Sequence, residues 1–194
     1  MKKHLLLFTV LFVAFTTNAQ DGPKGLNIYD AAPMFTAKDQ NGKTVSLSTA
    51  LKKGPVVLVF YRGQWCPYCN KHLKKLEDSL SLITAKGASL ITITPEKPEN
   101  ISKTIEKTKA SYSILYDDSL KIMKSYDVAF TVDEKTVEKY KGYGIDFTQA
   151  NGINGASLPV PALYIIGIDG KISYRYFDVN YSKRASVAEI LAHL

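Results

Sequence analysis

The stretch "VVLVFYRGQWCPYCNKHLKKLEDSL", Val56–Leu80, decides how the rest of the chain is read. Val56 to Tyr61 are all β-branched, leucine or aromatic, with no polar alternation, the pattern of a strand buried on both faces. Pro67 suits the first turn of a following helix, where its missing N–H would have no partner anyway. Leu73, Leu76, Leu80 and Ile83 then recur at helical spacing as far as Lys86 and Gly87. A central strand therefore feeds a helix, and the chain's 2 cysteines, Cys66 and Cys69, lie at the junction.

This spacing is a poor use of a structural staple. A bridge from Cys66 to Cys69 closes a very small loop and constrains the unfolded chain little. Chemistry is the better use. A cysteine at a helix start meets unpaired N–H groups and the positive end of the helix dipole, both of which favour the thiolate. Cys69 lies about one turn further in, close enough for a disulfide that opens and closes by exchange. Trp65 and Tyr68 add apolar area beside the pair, which is expected at the mouth of a pocket that they line together with Pro161.

Working outward, "MFTAKDQNGKTVSLS" reads as two short strands around Asn41-Gly42, and "ASLITIT" (88–94) as a second buried strand stopped by Pro95. "PENISKTIEKTKA" is an amphipathic helix, "SYSILYDD" a short strand, and Asp118 or Ser119 is placed to cap the helix "LKIMKSYD". "GASLPVPALYIIGIDGKISYRYFDV" contains two strands joined at Asp169-Gly170, and "SVAEILAHL" closes the chain as a helix. Alternating strands and helices predict an α/β fold with a central mixed sheet flanked by helices. Between Tyr126 and Leu158 lies an insert with a helical middle and a Gly/Asn-rich end, expected to act as a lid or substrate-contacting segment.

The beginning of the chain differs from the rest. Lys2 and Lys3 precede the apolar run Leu5–Phe15, which is too short to span a bilayer comfortably, and Thr17 and Ala19 are small residues before Gln20. Residues 1–19 are expected to be a signal peptide cleaved near Ala19-Gln20, leaving an exported, periplasmic domain over 20–194 that meets a membrane only through that transient segment. Its removal takes two charges from the formal +7. The remaining lysines are interleaved with glutamates along helices, a solvated surface that argues against a nucleic-acid partner. At 194 residues with 45% apolar content, the chain is one domain with a core of its own.

These motifs together resemble the thioredoxin-fold superfamily, and more closely the peroxiredoxin-like branch of the alkyl hydroperoxide reductase/thiol-specific antioxidant (AhpC/TSA) family. The likeness runs through "MFTAKDQNGKTVSLS", "VVLVFYRGQWCPYC", "PEKPEN", "LPVPALYIIGIDGKI" and "FDVNYSKRASVAEIL". It implies a thioredoxin-like fold with an N-terminal β-hairpin and an insert before the last sheet hairpin. It also implies hydroperoxide reduction through a Cys66/Cys69 dithiol–disulfide cycle, without a cofactor, with electrons returned by a thioredoxin-like donor. Peroxiredoxins carry Pro-x-x-x-Thr/Ser-x-x-Cys at this point. With Cys69 on their peroxidatic cysteine, the threonine position holds Cys66, the proline position Arg62, and the later peroxide-activating arginine falls on Pro161.

Two of those departures produce the features of a thioredoxin site, a Cys-x-x-Cys pair and a cis-proline, here Pro161. A protein thiol–disulfide oxidoreductase acting on protein disulfides therefore stands beside the peroxidase. A third reading, a copper(I)-binding module using Cys66, Cys69 and His72, has no fourth ligand nearby in sequence, and His72 is expected at the surface of its Lys-rich helix. Arg62, four residues before Cys66, is the nearest cation able to replace the missing arginine. Helix placement makes Cys66 the expected nucleophile and Cys69 the resolving thiol, whereas the peroxiredoxin register reverses the two.

Overall fold

The computed structural model describes residues 22–194, so the expected signal peptide and its cleavage point lie outside the described residues. Among the described residues, nine strands and eight α-helices follow one another. A hairpin of β1 (Thr36–Lys38) and β2 (Thr44–Ser46) leads through α1 (Leu47–Leu51) into β3 (Val56–Phe60). The hairpin turns at Gly42, whose φ of 74° lies in the left-handed region that glycine enters without strain. Helix α2 (Pro67–Asp78) and helix α3 (Leu80–Ala85) separate β3 from β4 (Ser89–Thr94), and α4 (Pro98–Thr108) precedes β5 (Ser113–Tyr116). Then come α5 (Lys121–Ser125), β6 (Ala129–Thr131), α6 (Glu134–Gly142), α7 (Phe147–Asn151), β7 (Ser157–Pro159), β8 (Ala162–Ile166), β9 (Ile172–Phe177) and α8 (Val187–Ala192).

The main sheet has five strands in the order β5-β4-β3-β8-β9, with β3, β4 and β5 parallel and β8 and β9 antiparallel. This is the mixed sheet that the sequence predicts, and β3 lies at its centre. Val56, Leu58 and Phe60 face one core, against Leu47, Met123, Tyr126 and Tyr164. Val57, Val59 and Tyr61 face the other, against Leu73, Leu76 and Ile190. Each such side chain removed from water contributes about 1.5–3 kcal/mol, so a doubly buried strand anchors both layers. The N-terminal hairpin covers the exposed side of β5, where the Gln40 side chain accepts the Ile114 N–H at 2.8 Å and donates to the Tyr112 carbonyl at 3.1 Å. An edge that would otherwise present open backbone groups is thereby closed.

Two local expectations are corrected, and the insert takes a definite form. The helix over Pro67–Gly87 breaks at Ser79 (φ −111°, ψ 8°) into α2 and α3, which lets Ile83 turn into the core beside Leu73 and Leu76. The cap of α5 is neither Asp118 nor Ser119. A turn intervenes, and the Asp117 carboxylate accepts the N–H groups of Ile122 (3.0 Å) and Met123 (2.7 Å). The insert is a folded layer: β6 pairs with β7, and α6 and α7 pack beneath them on Phe147, Leu158 and Val132.

Candidate active site

The site is built where β3 ends. Tyr61 N still donates to Ile93 O at 3.0 Å, and the chain then leaves the sheet through Arg62–Trp65. Cys66 is the N-cap of α2 with Pro67 in its first turn, and its sulfur accepts the Cys69 N–H at 3.4 Å. Both cysteines are free thiols, and neither is exposed: Cys66 is 2% and Cys69 0% accessible.

What covers them is the segment between β9 and α8. Asp178, Asn180 and Ser182 fold it into a chain of side-chain turns, with Asn180 N on Asp178 Oδ1 (2.8 Å) and Ser182 N on Asn180 Oδ1 (3.1 Å). Arg184 follows, its Nη1 held by the carbonyls of Tyr181 and Lys183 at 2.5 and 2.6 Å. Its Nη2 donates to Cys69 Sγ at 3.3 Å. Tyr181 packs on Tyr68 with centroids 5.9 Å apart and stacks over the Arg62 guanidinium at 4.4 Å.

The electrostatics of the pair follow from these neighbours. Burial opposes ionisation of Cys69, but the Cys66 thiol's hydrogen bond, the Arg184 charge and the Arg62 amide together lower it to about 6. Cys66 moves the other way. Its hydrogen bond to the Cys69 sulfur and its own burial hold its proton well above the usual thiol range. The buried thiolate is thus Cys69, one turn inside the helix, because Cys66 donates to its sulfur and a distant loop delivers a cation there. That reverses the expectation drawn from helix placement.

The other predicted residues are placed as follows. Arg62 is 5% accessible, stacked on Trp65 (4.9 Å) and Tyr140 (5.7 Å), with Nη2 donating to Tyr140 Oη at 2.6 Å. Its charge reaches Cys66 weakly, and its backbone serves Cys69. Trp65 is wedged between Tyr140 and Phe147 of the insert. Tyr68 is 46% exposed beside Tyr181. Pro161 is buried, and the Val160–Pro161 peptide is trans, as are all peptide bonds among the described residues. The cis-proline expectation is therefore corrected; Val160 N donates to Val128 O at the end of the β6–β7 pair, just before the peptide to Pro161.

The expected pocket also differs. A cavity of about 920 Å³ does border the site, lined by Arg62, Tyr140, Pro161 and Tyr181, but Trp65, Tyr68 and the cysteines are not in its wall. His72 is not on the surface. It is 6% accessible, and burial, Arg184 and Lys75 push its imidazole down to about 3 while it donates to the Ala185 carbonyl. The ring thus ties down the backbone next to Arg184. Arg184 itself was missed because it lies 115 residues from Cys69. Its signal was the dense run of turn-forming Asp, Asn and Ser in "DVNYSKR".

Residues 28–175 match the AhpC/TSA family. The chain belongs to the AhpC/TSA family. Among relatives, it is 35% identical over 103 residues to chloroplastic peroxiredoxin Q of Populus jackii, a match covering 53% of this chain and 48% of that protein. The chain thus matches just under half the length of that relative. It is 27% identical over 158 residues to peroxiredoxin Bcp of Escherichia coli strain K12, covering 81% of this chain and 90% of that one. The fold is similar to that of peroxidoxin BcpB from Mycobacterium tuberculosis, with TM-score 0.65 and 21% identity over 86% of this chain and 94% of that chain.

Proposed function

We propose that this chain is a thiol-dependent peroxidase in which Cys69 attacks the hydroperoxide and Cys66 resolves the product. The observation that carries this reading is the Arg184 guanidinium on the Cys69 sulfur at 3.3 Å, with the protonated Cys66 alongside. The Cys69 thiolate takes the outer peroxide oxygen, the O–O bond breaks, and the leaving oxygen is protonated to an alcohol or water. The resulting sulfenic acid condenses with the Cys66 thiol, releasing water and forming the Cys66–Cys69 disulfide. A thioredoxin-like dithiol then returns two electrons by exchange.

The test separates the two cysteines and the two enzyme readings. Reduced mature protein is mixed with hydrogen peroxide or an organic hydroperoxide in stopped flow. Cys66→Ser is expected to keep the fast first step and leave a trappable sulfenic acid on Cys69, whereas Cys69→Ser loses it. Fast insulin disulfide reduction with no peroxide consumption would overturn the proposal in favour of protein thiol–disulfide exchange, which the Cys-x-x-Cys pair at a helix start supports. The same proposal places the mature chain in an exported, periplasmic compartment, on the strength of Lys2, Lys3 and the apolar run to Phe15. N-terminal sequencing of the protein recovered from cells checks the cut before Gln20.

A further inference from the structure

One buried acid beside the redox pair has no part in the steps above. Glu96 follows β4 with 0% accessibility, and its Oε2 accepts the Gln64 N–H at 2.7 Å, which ties the carboxyl to the loop carrying Trp65 and Cys66. Its Oε1 is buried without a hydrogen-bond partner, and so is the Trp65 indole N–H. The two converge beside Gly63, where an added Cβ would lie 2.5 Å from Trp65 Nε1 and 2.6 Å from Glu96 Oε1. A carboxylate with an unsatisfied oxygen in so dry a place is expensive, and a carboxylic acid is not.

Burial is the largest influence on when this group ionises, and the charges around it adjust that point. Burial pushes its carboxyl up to about 8, the Gln64 amide opposes that, the Cys69 thiolate adds to it, and Lys107 and Lys103 pull weakly the other way. Tyr61, packed on the same side, is fully buried and stays neutral. Glu96 thus keeps its proton over the range in which Cys69 is already a thiolate, and the thiolate's charge adds to the burial that holds it there.

We propose that Glu96 is the proton store of this redox site, protonated while Cys69 is a thiolate and ionised once oxidation removes that thiolate. With peroxide, a step that rests on the reading above, the balance closes within the protein. Cys69–S⁻, ROOH and Glu96–COOH give Cys69–SOH, ROH and Glu96–COO⁻: the S–O bond forms, the O–O bond breaks, and the leaving oxygen receives the carboxyl proton. Condensation with Cys66–SH then releases water and leaves the disulfide with Glu96 ionised. Reduction by an external dithiol returns the proton to Glu96.

The proton linkage is tested without peroxide, so its failure is distinct from failure of the peroxidase reading. The whole mature chain is equilibrated with dithiol/disulfide redox buffers at several pH values between those of Cys69 and Glu96, about 6 and about 8. Alkylation and mass spectrometry read the fraction of disulfide. Wild type is expected to take up two protons per disulfide reduced and Glu96→Gln only one. Against a dithiol that itself gives up two protons, the wild-type equilibrium constant then stays level with pH, while that of the variant rises tenfold per pH unit, about 30 mV in potential. Equal slopes in the two proteins overturn the proposal. If Glu96→Gln does not fold, the wild-type infrared difference spectrum decides: oxidation should remove a carboxylic-acid C=O band, and its absence from the reduced form overturns the assignment.

Discussion

Arg184 shows how one side chain sets the reactivity of another when burial works against it. A fully buried thiol is normally harder to ionise, and the hydrogen bond from Cys66 together with the guanidinium on its sulfur reverses that for Cys69. The thiolate population should therefore rise through about pH 6 and be lost below it. Alkylation of the Cys66→Ser variant against pH is expected to show a midpoint in that region, well under the free-thiol value of about 8.5. Arg184→Met should move the midpoint upward by about one to three units, the range for loss of a close opposite charge. Arg184→Lys, with a point charge and no planar fork, should fall between. An unmoved midpoint in Arg184→Met would show that the Arg62 amide and Cys66 suffice.

At the scale of elements, the insert joins the site by gripping the redox loop from the side. Trp65, the sole tryptophan, lies 5.4 Å from Tyr140 and 5.5 Å from Phe147, and Tyr140 also holds Arg62. Phe147 is 2% accessible, so Phe147→Ala leaves a cavity in a small cluster with few other contacts to absorb it. Such a change costs about 3–5 kcal/mol. Trp65 fluorescence should shift toward the solvent-exposed wavelength at lower denaturant than the far-UV signal of the main sheet, since peripheral layers open before central strands. Coincident transitions would mean that the insert folds as part of the main core. The strap from Asp178 to Arg184 is a second such element, built from side-chain turns and held by His72 at the Ala185 carbonyl.

For the molecule as a whole, buried ionisable groups make stability depend on pH in opposite senses. His72 titrates near 6.5 when unfolded and at about 3 when folded, so between those values the unfolded chain binds the extra proton and stability falls as pH falls. Glu96 has the reverse sign: raised to about 8, it binds its proton in the folded state first and stabilises as pH falls from that value. Each group contributes at most about 1.4 kcal/mol per pH unit across its window. His72→Gln keeps a donor for the Ala185 carbonyl and cannot titrate. Urea unfolding should show this variant gaining on wild type by about 1 kcal/mol per pH unit below 6.5. A constant difference between the two curves would place the imidazole in contact with water.

Much of this architecture was open to inspection in one dimension. The unbroken apolar run of β3 announced a strand buried on both faces, because a strand exposed on one side must alternate. Pro67 and the cysteine spacing placed Cys66 at a helix start, and Gly42 and Gly170 marked their turns, since those signals act within a few residues. The trans geometry at Pro161 is not encoded by local sequence. The burial of His72, the stacking of Arg62 between aromatic rings, and the choice of Cys69 over Cys66 as thiolate all depended on contacts between distant segments. Helix position acts locally and favours the first cysteine. Arg184 acts through space from a loop, in a dry interior where one charge at 3.3 Å outweighs a partial dipole. The sequence alone determined the fold and the pair that does the chemistry; the folded chain decided which sulfur carries the charge, because only folding brings those side chains within reach.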